Sequence, residues 1–218
     1  MNKNRLTLVL ASLLVFASLP VQATKVLGLR VIDKNYLMVH FRDGEVHYRD
    51  SGTGPSAYLG HSFSEGDDTL VVFGERLKTT EAQKAEMWAI EESGKSKEES
   101  GRRFQPVKVW RKSKPMNIDH TLTGECDHWL FLELPQAMKQ GCTYTVIIPE
   151  GIGADQTTVS VTYDIWNTPS EAVHVNIIGY MPSEALHAAD LYQWLGDGGQ
   201  RDYSSWEGRK VYLYNVNT

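Results

Sequence analysis

The chain has 218 residues, with 22 Lys and Arg set against 27 Asp and Glu, a net charge of −5. That balance disfavours nucleic acid as a partner, because binding a polyphosphate needs clustered Lys and Arg to displace its counterions. The length fits one or two all-β domains of roughly 100 residues each.

At the start, Lys3 and Arg5 precede an apolar run over 6–19, then Pro20 and the small-residue exit Val21-Gln22-Ala23. This is the pattern of a secretory signal peptide over 1–23, and its apolar run is too short for a spanning helix of about 20 residues. Cleavage after about Ala23 would remove Lys3 and Arg5 and take the net charge from −5 to −7. The mature chain is therefore expected to be secreted or periplasmic, with no later membrane span. Its acidic surface would keep it soluble.

From Lys25 onward the chain reads as short β-rich runs broken by turn residues, over 26–32, 36–41, 45–48, 70–73, 107–110, 128–134, 144–148 and 157–163. Alternation is clearest at Thr157-Thr158-Val159-Ser160-Val161-Thr162-Tyr163, where one face suits a core and the other water. Asp43-Gly44 between two runs predicts a hairpin turn, since Gly accepts positive φ. This spacing predicts an immunoglobulin-like antiparallel β-sandwich over 24–165. Two stretches interrupt it: 80–92 could form a short helix, and 91–103 is charged enough to be a solvated loop.

The segment Met138-Lys139-Gln140-Gly141-Cys142-Thr143-Tyr144 resembles the tyrosine corner of fibronectin type III and immunoglobulin-like folds, with Met and Gln where Leu and Pro are usual. There a Tyr opening the sixth strand bonds back to nearby backbone. This placement predicts unpaired thiols. Cys126 precedes the run at 128–134 and Cys142 follows it, so about 20 Å of extended strand separates them, against the roughly 6 Å a disulfide allows.

Pro169 stops ladder pairing and marks a linker over 166–171. The pattern resumes at Ala172-Val173-His174-Val175-Asn176-Ile177-Ile178-Gly179-Tyr180-Met181-Pro182, followed by a second run ending at Trp194, a loop over 196–203 and a run over 208–214. The stretch 172–218 resembles the start of the immunoglobulin-like domain of glycoside hydrolase family 9 enzymes, through Val175, Asn176, Gly179, Tyr180 and Pro182, with Ile177 in the usual Gln position. About three strands fit here, and a sandwich needs about seven. The chain is thus expected to be the front of a longer protein, although these strands completing a sheet with the first domain or a partner chain is a second option. The resemblance implies a C-terminal (α/α)6 barrel in the same full-length chain, hydrolysing β-glucan by inversion with carboxylates about 6.5–9.5 Å apart. No barrel motif occurs, so no catalytic residue is assigned.

Tyr192, Trp194, Tyr203 and Trp206 are candidates to stack on sugar rings, against the alternative of filling a core or packing on a neighbouring domain. Asp197 and Asp202 in the Gly-rich loop are weak calcium candidates, since calcium takes about six to eight oxygens and Asp commonly caps turns. Asp67 and Asp68 are weaker still, because adjacent carboxylates on a strand point to opposite faces. His174 and His187 read as hydrogen-bonded structural residues, and no HExxH, paired-Cys, GxSxG or phosphate-loop motif occurs. No cofactor is expected. The functional expectation is a non-catalytic accessory region of an exported carbohydrate-active enzyme. The alternative is an exported glycan-binding or adhesive surface module; polysaccharide is a candidate partner beside the catalytic barrel.

Overall fold

The computed structural model describes residues 23–48, 68–71, 76–94, 101–118, 124–181, 183 and 187–215. The signal expected over 1–23 lies outside these residues except for Ala23, as do Asp67 and Pro182. The strands in chain order are β1 (Lys25–Asp33), β2 (Tyr36–Asp43), β3 (Glu45–Tyr48), β4 (Asp68–Val71), β5 (Ala89–Ser93), β6 (Arg102–Phe104), β7 (Lys108–Ile118), β8 (Gly124–Glu133), β9 (Thr143–Ile147), β10 (Thr158–Thr162), β11 (Val173–Val175) and β12 (Ala189–Leu191). A single helical turn, α1 (Thr79–Ala82), lies between β4 and β5.

The fold is an all-β sandwich. One antiparallel sheet has the order β1-β2-β8-β7 and the other β10-β9-β5-β6, while β3-β4 and β11-β12 form separate two-stranded ribbons. Between the sheets lies an apolar core that includes Leu37, Val39 and Phe41 of β2, Leu130 and Leu132 of β8, Ile90 of β5, and Tyr144 and Val146 of β9, none more than 1% exposed. Trp88 enters this core just before β5 and donates Nε1–H to the Ala82 carbonyl at 2.7 Å.

Sheet β1-β2-β8-β7 is covered on both faces. Because side chains alternate along a strand, Tyr36 and Met38 of β2 and Phe131 of β8 point away from the first core. They join Ile32, Ala172 and Leu195 in a second buried cluster on the outer face, with Trp110, Trp129 and Tyr203 packed against it. Two buried faces explain why 36–41 and 128–134 are nearly continuous apolar runs, whereas β10, whose outer face meets water, keeps strict alternation.

The tyrosine corner forms: the Lys139 backbone N–H donates to the Tyr144 hydroxyl at 2.8 Å, and that hydroxyl donates to Glu92 Oε2 at 3.2 Å. Burial pushes the Tyr144 hydroxyl up to about 12, so it stays protonated as that donor. Both cysteines are free, with Cys126 on β8 and Cys142 just ahead of β9 in the opposite sheet.

Three local expectations are corrected. Asp43-Gly44 makes no hairpin between β2 and β3; Gly44 turns at φ 75° and β3 pairs with β4 instead. The Asp43 carboxylate is drawn inward by Thr24 Oγ1 (2.7 Å) and the Leu77 N–H (3.1 Å), so the chain leaves the sheet there. The helix expected over 80–92 is only α1 and a 3-10 turn at Ala85–Met87, because no side chain caps α1 and burial of Trp88 pulls the chain into β5. The charged loop expected over 91–103 is in its described parts a strand pair, in which Glu91 faces Arg103 and Glu92 faces Arg102 across β5 and β6. Opposite charges at directly paired positions make these polar residues compatible with a ladder.

Candidate functional site

The segment after Asp164 is tied to the outer face of the first sheet. The stretch expected as a linker follows β1, where the Glu171 N–H donates to the Val31 carbonyl at 2.9 Å and Glu171 pairs with Arg30 at 2.7 Å. Ala172 is fully buried and its carbonyl accepts the Tyr192 N–H at 3.0 Å, which starts the β11-β12 ribbon above the sheet. Alternation along β11 turns His174 into the space between ribbon and sheet and leaves Val173 and Val175 exposed.

The loop after β12 grips edge strand β7. Gly196 has φ 72°, and a Cβ there would stand 2.0 Å from the Arg111 carbonyl oxygen; one at Gly198 would stand 2.6 Å from the Trp110 ring. Asp197 lies between these glycines. Its Oδ1 accepts the Arg111 backbone N–H at 2.7 Å and its Oδ2 accepts Gln83 Nε2. Asp197 thus satisfies an edge-strand donor that would otherwise face solvent. Asp202 caps the next turn by accepting the Ser204 N–H at 2.8 Å, and that bond holds its carboxyl below the ordinary range. Both calcium candidates are occupied in backbone capping, and among the described residues no group of three or more His, Cys, Asp and Glu could hold a metal ion.

A second clip lies beside it. Asp33, only 4% exposed, accepts Arg201 Nε at 3.1 Å and the Tyr203 hydroxyl at 2.9 Å on Oδ2, and the Asn35 N–H at 2.7 Å on Oδ1. Arg201 also lies over the Tyr36 ring, 4.6 Å from its centroid. Burial and then the Asp33 charge push the Tyr203 hydroxyl up, which keeps it a donor.

Between these anchors, ribbon and sheet leave a cleft of about 330 Å³. Its floor is Ile32, Met38, Trp129 and Phe131 with Lys112 at the edge; its opposite wall is Glu171, His174, Tyr192, Gln193 and Trp194. Tyr192 stacks on His174 with centroids 3.9 Å apart, and His40 stacks on Trp129 at 4.7 Å. Lys112 Nζ lies 5.1 Å from the Trp129 centroid. Behind Trp129, Asp127 binds Arg42 through two bonds of 2.6 and 2.9 Å and His40 Nε2 at 2.9 Å. Burial alone would raise the Asp127 carboxyl, but these hydrogen bonds outweigh it and hold it below the ordinary carboxylate range. The Trp129 part of the floor is therefore backed by a fixed ionic array.

The four aromatic candidates divide. Tyr192 and Trp194 line the cleft and stay more than half exposed, at 53% and 56%. Tyr203 packs on the outer cluster, with Trp206 edge-on to it and under Lys34. Sequence reasoning missed Lys112 and Trp129; His174, read as a hydrogen-bonded structural residue, has Nε2 3.2 Å from the Tyr192 carbonyl oxygen and also lines the cleft. Trp129 sits in an apolar run whose two faces cannot be told apart before the outer cover is known. No family model, curated protein or solved structure matches the chain.

Proposed function

We propose that this chain is an accessory region of an exported carbohydrate-active protein, and that the cleft between the outer sheet face and the β11-β12 ribbon holds a sugar. One observation carries this reading: the exposed rings of Tyr192 and Trp194 share the cleft with Gln193, His174, Glu171 and Lys112. Flat apolar rings beside a few polar groups suit a ligand whose faces are C–H-rich and whose rim is hydroxylated. The family 9 resemblance of 172–218 supports a β-glucan as the polymer and a catalytic barrel elsewhere in the same protein. Titration of the chain with a β-glucan oligosaccharide, followed by tryptophan fluorescence, tests it. Trp194→Ala should weaken binding about tenfold, a loss of about 1.4 kcal/mol. No fluorescence change at millimolar ligand would end the proposal.

The second reading, in which this region chiefly positions a catalytic domain, is favoured by exposed apolar residues that contribute nothing to the cleft: Val175, Ile177, Ile178, Val211 and Leu213. Apolar exposure of this kind marks interaction surfaces. A glycan array separates the two readings, because binding by the isolated chain favours the glycan-binding one.

A further inference from the structure

On the inner face of the same sheet, toward the Asp43 end of β2, three side chains from three strands form one hydrogen-bonded line. The β7-β8 register sets Ser113 directly opposite His128, and Asp43 ends neighbouring β2. His128 Nδ1 lies 2.7 Å from Ser113 Oγ, and His128 Nε2 lies 2.9 Å from Asp43 Oδ2. His128 and Asp43 are buried, at 7% and 5% exposure, whereas Ser113 is exposed.

The direction of each hydrogen bond follows from Asp43. Its Oδ1 already accepts from Thr24 Oγ1 and the Leu77 N–H. Burial would raise its carboxyl, but hydrogen bonds from His128, Thr24 and Leu77 outweigh that and hold it below the ordinary range. An ionised Asp43 can only accept, so a neutral His128 carries its proton on Nε2 and turns the Nδ1 lone pair toward Ser113. The Ser113 proton then points at Nδ1. Arg111 Nη1 also donates to Ser113 Oγ, and Arg111 Nε is braced by Gln83 Oε1 at 2.9 Å. Nucleophile, base, orienting acid and a cation beside the nucleophile occupy the relative places that acyl transfer requires, with Nδ1 rather than Nε2 serving as the basic nitrogen.

We propose that Ser113, His128 and Asp43 form a hydrolytic site for acyl esters displayed on larger molecules. An ester is chosen over an amide because an alkoxide leaves more readily than an amide anion, which must be protonated before it departs, and one guanidinium is a modest stabiliser of the tetrahedral oxyanion. Ser113 sits exposed on a strand, which suits an acyl group carried by a polymer rather than a buried small molecule. Ser113 Oγ adds to the acyl carbonyl while its proton passes to His128 Nδ1, and Arg111 faces the oxyanion. The ester C–O bond then breaks and the departing alkoxide takes the proton from Nδ1, leaving Ser113 acylated. Water gives a proton to Nδ1 and adds to the acyl carbon. Cleavage of the bond between the acyl carbon and Ser113 Oγ returns that proton to Oγ, and the products are one alcohol and one carboxylic acid.

The test is labelling of the full chain with a fluorophosphonate probe, peptide mass spectrometry, and hydrolysis of p-nitrophenyl acetate. The probe should be found on Ser113, and Ser113→Ala should remove the label and bring ester hydrolysis down to the rate of buffer. Because Ser113 is exposed, circular dichroism of Ser113→Ala should match the parent, with the thermal midpoint lowered only by the loss of its bonds to His128 and Arg111. No adduct on Ser113, or equal hydrolysis by the parent and Ser113→Ala, overturns the proposal. Neither outcome depends on sugar binding in the cleft, so the two proposals fail separately.

Discussion

The two faces of sheet β1-β2-β8-β7 are buried by different means. On the inner face a second sheet of regular strands supplies aliphatic and aromatic side chains, among them Ile90, Tyr144 and Val146, that are essentially inaccessible. On the outer face the cover is a segment with little regular structure, and few apolar residues, Ala172 and Leu195 among them, reach full burial. There polar clips set the position: Glu171 on Arg30, Asp197 on the Arg111 backbone and Gln83, and Arg201 and Tyr203 on Asp33. Apolar burial scales with area and has little direction, whereas a hydrogen bond fails beyond a few tenths of an ångström. A cover held by clips can thus leave a cleft beneath itself that a close-packed core would fill.

This contrast predicts that damage to the inner core is global. Trp88→Ala removes the largest of the fully buried side chains and leaves the Ala82 carbonyl without its donor. The expected loss is about 3–5 kcal/mol, a large share of the roughly 5–15 kcal/mol of a whole domain. Urea denaturation followed by circular dichroism measures it. A loss under about 1 kcal/mol would mean that the inter-sheet core is not the main source of stability.

Damage to a clip should stay local. Arg201→Met keeps the length of the side chain but takes the cation from a buried carboxylate, leaving Asp33 with Tyr203 and the Asn35 N–H. The expected cost is about 1–3 kcal/mol. It should appear as faster hydrogen exchange at the Tyr192 and Leu195 amides, whose acceptors lie within the outer cover, with little change at β9 amides. Equal acceleration in β9 would show that cover and sandwich open as one unit and would erase the distinction.

How much of this could be read from the sequence follows the same division. Local patterns carried the strands: alternation at 157–163 is β10, and the corner at Met138 to Tyr144 closes as its residues suggest. Errors arose where a distant partner changed the meaning of a local signal. Glu91 and Glu92 read as loop residues until Arg103 and Arg102 stand opposite them, and Asp43-Gly44 reads as a hairpin until Thr24 and Leu77 claim the carboxylate. The sites are less legible still. Tyr192 and Trp194 stand out as aromatics near a glycine loop, but Trp129 and Lys112 join them only through the docking of the ribbon on the sheet. Ser113 meets His128 only through the β7-β8 register, which no short motif encodes.

The smallest expected effect concerns the ionic array behind Trp129, and it asks whether the outer face responds to pH differently from the inner. Burial lowers the His40 pKa, and the opposing hydrogen bond to Asp127 does not cancel that. An imidazole whose folded pKa lies below its unfolded value takes up its proton more readily when unfolded. Its contribution is therefore complete above about pH 6.5 and is lost as pH falls below that value, by at most about 1.4 kcal/mol per pH unit for one proton. Asp127 and Glu92, both held below the ordinary carboxylate range, add their loss only as pH falls below about 4. Urea midpoints should thus be flat from pH 8 to 6.5, fall gently toward pH 4.5, and fall steeply below 4. His40→Gln keeps a polar side chain beside Asp127 and should flatten only the gentle segment. If that segment persists in the variant, the acid sensitivity belongs to another group, and the Trp129 part of the cleft floor is insensitive to pH in this range.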